Sequence, residues 1–430
     1  MRREGRGRRP TTRRRLLRAG ATSGLAGVAG LAGCLDGGGG TEPGADRDDP
    51  GESPTPGPTD TTIAGVSGSF RQFQYDAANS GYRSAGGVDE DATTRWTVRE
   101  APLGPGHHVS TPAVADGVVY FAEGGEFDGE SISARVHAVD AATGAVDWSR
   151  DLGGTNAFRG TAVAGDTVLQ PVGGAVVALD AATGDERWRT SADLDTGVTV
   201  ADGAAYVAGR GYDGPTTLYA LDLATGEARW THDLPGGRGA GIGASQPAVV
   251  DGTVYVAHGA LAALAAADGT ELWTASYDSG VAGAPTVVDG TAYLGGGRGT
   301  VRAVSAADGT TRWVRRVPSG AAGGGGRTPL STSVAVGGGR VFAVRDWRLT
   351  VLAADTGERR WSRDVRGAHS PVVAGETVYV PGLSTLGGLD VATGAHRFGV
   401  STAARSGSRR SVAVVDGAAF FPSAGLHAVA

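Results

Sequence analysis

The chain has 430 residues and a formal charge of −6, from 39 basic and 45 acidic side chains. All 39 are arginine, so a lysine Schiff base and the phosphate-cradling P-loop lysine are excluded. Methionine occurs once, as Met1, and cysteine once, as Cys34, which removes disulfide frameworks, cysteine-ligated zinc and iron–sulfur clusters. With 74 glycines and 40% hydrophobic content, short strands joined by tight turns suit the chain better than long helices.

The N-terminus reads as an address. Thr12-Arg13-Arg14-Arg15-Leu16-Leu17 resembles a twin-arginine export signal, with Arg13 and Arg14 as the arginine pair. Ala19 to Gly33 follows as a weakly apolar stretch, too short to span a bilayer as a helix. Leu31-Ala32-Gly33-Cys34 resembles a lipobox, which implies lipid attached to Cys34 and removal of residues 1–33. Nine arginines and Glu4 leave with that segment, shifting the charge by eight to −14. Acid excess, absent lysine and abundant Gly and Ala resemble the proteins of extreme halophiles, where salt screens surface repulsion. No basic stripe survives for nucleic acid. Residues 34–68, rich in Gly, Pro, Asp, Glu, Ser and Thr, read as a disordered tether with a reach of roughly 30 Å.

From residue 69 to 430 the chain reads as one repeat domain. The phrase Ala-x-Asp-x-x-Thr-Gly-x-x-x-Trp stands at Ala138–Trp148, Ala178–Trp188 and Ala220–Trp230. Weaker copies end at Trp273, Trp313 and Trp361, with Ala265, Ser305 and Ala353 in the Asp place, and another ends at Phe398. A second phrase, Pro-Ala-Val-x-Asp-Gly-x-x-Tyr-Val, alternates with it at Pro112–Phe121, Thr161–Leu169, Val198–Val207, Pro247–Val256, Pro285–Leu294, Ser333–Phe342, Pro371–Val380 and Ser411–Phe421. Asp-Gly between β-branched runs predicts a two-residue hairpin, and Thr-Gly predicts a second turn between a third and a fourth strand. Four antiparallel strands per repeat make one propeller blade.

Ala, Gly and Trp at places 1, 7 and 11 resemble the tryptophan-docking motif of pyrroloquinoline-quinone (PQQ)-type β-propeller repeats. Phe73-Gln-Tyr-Asp-Ala-Ala-Asn-Ser-Gly-Tyr82 resembles the segment that opens many such repeat lipoproteins, including those of the BamB type. The expected fold is all-β: an eight-bladed propeller of four-stranded antiparallel blades. Trp96 lacks the preceding Gly, and the chain stops at Leu426-His-Ala-Val-Ala430, the start of the first phrase. Residues near 93–98 are therefore expected to supply the outer strand of the last blade. Trp96, Trp148, Trp188, Trp230, Trp273, Trp313, Trp361 and Phe398 are read as packing between blades; Trp347 lies off the pattern.

Signals for catalysis are few. No Gly-x-Ser-x-Gly, His-Glu-x-x-His or helix-opening Gly-x-Gly-x-x-Gly is present. Quinone-dependent dehydrogenases share the repeat, yet many carry adjacent cysteines and Ca²⁺ ligands among Glu, Asn and Asp. Here only Asn79 and Asn156 are asparagine. No cofactor is expected, with PQQ and Ca²⁺ as the alternative. Residues just before each innermost strand rim the central funnel: His107, His108, Arg159, Ser245, Gln246, Arg327, His369, Ser370, Arg409 and Arg410. Their cationic and imidazole groups are candidates for an acidic ligand or peptide. Glu123, Glu126, Asp128 and Glu130 form an acidic insertion, read as a solvated loop and as a weak Ca²⁺ candidate. The expectation is a monomeric, exported, lipid-anchored, non-enzymatic scaffold for a protein or glycan on the outer face of the cytoplasmic membrane. A quinoprotein oxidoreductase of alcohols or sugars is the alternative.

Overall fold

Hairpin chemistry sets the local geometry of each repeat. In the computed structural model, Asp116, Asp202, Asp251 and Asp289 each have φ near +50°, and the glycine after each is also left-handed. Two consecutive positive φ values make a turn whose twist matches the flanking strands. The second turn closes on a side chain: Asp140 Oδ1 accepts from the Thr143 N–H at 2.8 Å and its hydroxyl at 2.7 Å, and the Gly144 N–H returns to the Asp140 carbonyl. Where the Asp place is Ala265 or Ser305, Asp268 and Asp308 accept from Thr270 and Thr310 instead.

The structure describes residues 62–99, 106–127, 130–154, 159–191, 194, 196–209, 216–234, 245–278, 280–320, 330, 332–365, 369–402 and 411–430. Residues 1–61 lie outside the described residues. Arg13, Arg14, Cys34, Asp128, Arg327, Arg409 and Arg410 lie outside the described residues.

Strands among the described residues form eight sheets, and the body is an eight-bladed β-propeller of antiparallel blades. The second blade, Ala162–Ala164, Thr167–Val172, Ala175–Asp180 and Glu186–Ser191 from axis to rim, is typical. In every blade a register shift separates the last two strands next to the docking aromatic: Ala178 faces Trp188, but Leu179 faces Glu186. This bulge re-aims the ring toward the next blade. The residue opposite the indole is Ala in six blades and Val351 in the sixth.

The first blade is wider than expected. Glu123 and Glu126 do not sit in a solvated loop; strands Val118–Phe127 and Glu130–Asp140 extend the hairpin, and Gly106–Val109 pairs alongside. The last blade closes as the two ends of the repeat predicted. Thr94–Val98 pairs antiparallel with Leu426–Val429, and Trp96 lies opposite Ala428. Covalent neighbours supply no turn there, so strand pairing alone fastens the ring and removes its edges.

Residues 62–88 do more than lead into the propeller. Ile63 is buried and donates to the Ala142 carbonyl, so the folded body begins before the expected boundary at residue 69. From there the segment crosses the axis and meets the innermost strand of every blade. Phe70 exchanges two backbone bonds with Val114, and the Arg71, Ala77, Ala78, Ser80 and Gly81 carbonyls accept from Val163, Val249, Val287, Val336 and Val373. The Gln72 amide bonds Val200 in both directions, and Gly87 bonds Val415 and Gly417. Asp416 departs from the other hairpin aspartates because its backbone pairs with Ser67 and its carboxylate meets Arg83 at 2.9 Å. The axial channel is thus plugged on the side of the Asp-Gly turns.

Two outcomes test this packing. Trp188 is buried and donates to the Leu223 carbonyl at 2.9 Å. Trp188→Ala should cost about 3–5 kcal/mol in urea-midpoint stability. His427, buried beside the closing strand with Nδ1 2.8 Å from the Thr97 hydroxyl, is held down to about 4 by burial and secondarily by Arg99. Its unfolded value of 6.5 is higher, so the unfolded chain binds more protons between the two. Stability should fall as pH drops from 6.5 to 4, by at most on the order of 3 kcal/mol, and level off below. His427→Gln should abolish that component of the pH dependence.

Candidate functional site

The topology gives the propeller two unlike faces. Each innermost strand runs from the rim to its Asp-Gly turn, so that turn and the Thr-Gly turn share one face. The residues before the innermost strands and the turns between second and third strands share the other.

The rim begins with a ring of small polar groups around the axis. The Ser110 and Thr161 hydroxyls lie 3.0 Å apart, and Thr161 donates to Gln170 Oε1 at 2.7 Å. Thr111 accepts from the Ser411 N–H, Ser370 from the Ser333 N–H, and Ser333 from the Ala284 N–H. These hydroxyls satisfy backbone donors where the blades converge and no sheet ladder is left to do so. Gln246, a sequence candidate for ligand contact, is used in the same way: its amide donates to the Val198 carbonyl at 3.0 Å and to Thr199 Oγ1 at 3.3 Å. His369 is buried, His108 half-buried and Arg159 exposed. The side chains of His107, Glu126 and Glu130 lie outside the described residues.

Glu123, the remaining acidic candidate, is 2% exposed, and its Oε1 lies 3.3 Å from His137 Nε2. Phe121 stacks on the imidazole at 4.9 Å and Ser149 meets its Nδ1 at 2.8 Å. The pair is packed within the body instead of facing solvent in an open loop. Among the described residues no three His, Cys, Asp or Glu side chains group closely enough to hold a metal ion.

Two polar side chains of the segment that crosses the axis are engaged in its own packing. The Asn79 amide donates to the Pro247 and Pro285 carbonyls at 3.0 and 3.1 Å. Asp76 binds the Ser80 N–H and hydroxyl at 2.9 and 2.6 Å, while burial raises its carboxyl. The Asn79 amide nitrogen and the Asp76 carboxylate thus hold the plug together.

The docking stations repeat around the ring. The ring of Trp96, Trp148, Trp188, Trp230, Trp273, Trp313 and Trp361 lies on a glycine of the next blade, Gly144 through Gly394, where an added Cβ would come within 2.5–2.8 Å. Each indole N–H reaches a carbonyl of that blade at 2.9–3.3 Å. Four of these carbonyls, on Ala181, Ala266, Ala306 and Ala354, also accept from the tyrosine of the second phrase. Phe398 tilts on Tyr379 at 5.8 Å.

Trp347 is 53% exposed in the turn joining Arg340–Arg345 to Arg348–Ala353, on the rim face. Leu383, 48% exposed, stands in the corresponding turn of the next blade. The sequence signal that could have found Trp347 is a dipeptide, Asp346-Trp347, where the second blade has Gly173-Gly174.

Comparison with known proteins follows the same repeat. The family described as outer membrane protein assembly factor BamB matches residues 77–172, 132–259, 216–329 and 325–430. The Yersinia pestis outer membrane protein assembly factor BamB is 28% identical over 234 residues, covering 48% of this chain and 56% of that protein. The chain thus spans little more than half the length of that relative. BamB from Moraxella catarrhalis superposes with a TM-score of 0.56 at 20% identity, covering 79% of this chain and 97% of that one. The quinohemoprotein alcohol dehydrogenase of Comamonas testosteroni gives 0.60 at 16% identity, covering 84% and 80%. Likeness at such identities is likeness of fold. The matched repeats run from residue 77 to the C-terminus, and the chain belongs to the family described as outer membrane protein assembly factor BamB.

Proposed function

We propose that this protein is a non-enzymatic scaffold that docks a protein partner on the rim face of its propeller. The observation that carries the reading is Trp347. Asp346 and Trp347 have φ of 45° and 66°, whereas the second blade makes the same turn with Gly173 and Gly174 at 55° and 83°. A left-handed non-glycine residue costs about 1–3 kcal/mol, and such strain collects at functional sites. Here it holds an indole in water. Tryptophan is also among the residues that dominate interface energy. Leu383, in the corresponding turn of the neighbouring blade, is a second exposed apolar group on the same face.

Family membership supports a protein partner, since the relatives are named as assembly factors. The export reading of Arg13 and Arg14 and the lipid on Cys34 complete the proposal. A tether of about thirty residues would hold the body at the outer face of the cytoplasmic membrane. Residues 62–67 leave the body on the Asp-Gly turn side, where Ile63 and Ser67 pair with Ala142 and Asp416.

The fold shared with the quinohemoprotein alcohol dehydrogenase keeps one other reading, a quinone-dependent oxidoreductase. Adding PQQ and Ca²⁺ to purified protein in strong salt separates the two; dye reduction by alcohols or sugars would replace the scaffold reading. For the scaffold, Trp347→Gly should leave thermal stability unchanged or raise it by about 1 kcal/mol, because the strain disappears. The same change should sharply reduce the proteins captured by the tethered form from its own membranes. Unaltered capture would remove Trp347 from the docking surface.

A further inference from the structure

The second site lies on the opposite face, in the groove between the fifth and sixth blades. Its cavity is about 770 Å³, and Arg312, Arg340 and Arg360 line it. Their partners, compared around the ring, set this groove apart.

The residue before the docking aromatic is arginine in six blades; in three of them a carboxylate of the same blade neutralises it, and Arg95 of the last blade meets the Ala430 carbonyl. Arg187 meets Asp166 at 2.8 Å and Asp180 at 2.7 Å. Arg229 meets Asp222 at 2.8 Å, and Arg397 meets Glu376 at 3.1 Å and Asp390 at 2.8 Å. Those carboxylates come from the Asp of the first phrase and from the inner hairpin turn. In the fifth blade the first-phrase Asp is Ser305, and Arg312 donates to the Thr291 hydroxyl at 2.6 Å and the Gly290 carbonyl at 3.1 Å, both neutral. In the sixth blade both acidic places are lost, to Ala353 and to Gly338-Gly339. Arg360 there makes no hydrogen bond or ion pair with any described residue. Arg340 takes the place of the hairpin threonines Thr167 and Thr377 and donates to the Gly338 carbonyl at 3.0 Å.

The equivalent groove between the first and second blades, about 610 Å³, reverses the charge. Asp116, Asp147 and Asp166 line it, with Asp147 standing where Arg312 stands. Positive lining is therefore not general to the spaces between blades.

We propose that the groove between the fifth and sixth blades binds a carboxylate-bearing polypeptide segment, held by Arg312, Arg340 and Arg360. Guanidinium forks match carboxylates in pairs of parallel hydrogen bonds. Tyr293 and Ala354 give an apolar wall against which a peptide backbone can lie. Asp289 and Asp355 also line the groove. They would repel a compact polyanion, yet leave room for an extended chain whose carboxylates are spaced apart. This site shares no residue with the rim face, so it stands or falls separately from the scaffold reading.

The test is fluorescence anisotropy of a labelled alternating Glu-Ala peptide with the full chain. Wild-type protein should bind it, more weakly as salt rises. Arg340→Glu with Arg360→Glu should weaken binding about tenfold, and Arg360→Gln, which adds no carboxylate, about threefold. Arg359→Glu lowers the charge by two, more than Arg360→Gln does, on the same strand outside the groove, and should leave the affinity within about twofold. Circular dichroism checks that each variant is folded. Three results would overturn the site: no binding by wild type, equal binding by the Arg360→Gln protein, or an equal loss in Arg359→Glu. Displacement by inorganic phosphate as effective as by unlabelled peptide would overturn the peptide assignment.

Discussion

Everything in this molecule depends on an indole of one blade lying flat on a glycine of the next. The contact combines apolar burial with one directed bond from the ring N–H to a backbone carbonyl, and in four places a tyrosine hydroxyl shares that carbonyl. A side chain larger than hydrogen at Gly226 would put its Cβ 2.5 Å from the Trp188 ring. This contact fixes the mutual angle of neighbouring sheets at their outer strands, while the inner strands are held by the plug and by hydroxyl bonds between blades. Repetition of this one contact sets the spacing of the blades and leaves the faces free to vary.

A ring built from nearest-neighbour contacts has two weak points, its seam and its centre. The seam is closed by Thr94–Val98 on Leu426–Val429, and its indole, Trp96, docks on Gly144 of the first blade like any other. The centre is harder, because the innermost strands carry backbone groups toward the axis with no partner strand there. Residues 62–88 supply those partners. One irregular segment, with Gln74, Tyr75 and Asn79 at positive φ, distributes its bonds over eight strands in turn. The lack of periodicity in Phe73–Tyr82 follows from this, since no regular strand or helix could follow the circumference of so narrow a channel.

Fold and closure were legible because they rest on spacing: Asp-Gly and Thr-Gly mark turns whatever their surroundings, and a phrase broken between the two ends of the chain announces the seam. The bulge opposite each indole was not legible, since Ala at place 1 is equally consistent with any small-residue requirement. The plug was recognised as a motif but not as a plug, because its hydrogen bonds go to residues up to several hundred positions away. Among candidate site residues, Gln246 and Glu123 misled for one reason. Polar side chains next to strand ends read as solvent-facing, whereas converging blades bury them and use them to complete backbone or inter-residue bonds. Trp347 was visible only as a tryptophan out of step, because exposure is not encoded in the phrase itself.

The sixth blade concentrates the departures from the repeat. Ala353 replaces the turn aspartate, Gly338-Gly339 replaces Asp-Gly, Arg360 stands without a carboxylate, and Asp346-Trp347 replaces a pair of glycines. None of these positions touches the docking contact: Trp313 still lies on Gly357, and Trp361 still lies on Gly394. The docking contact therefore places no demand on them, and the strained turn works against stability. In a protein made of equivalent units, a unit that keeps its docking tryptophan and glycine while changing its surface residues is where individual function is written. That one blade changes on both faces at once makes it the part of the ring on which a partner at the rim and a ligand in the groove would both bear.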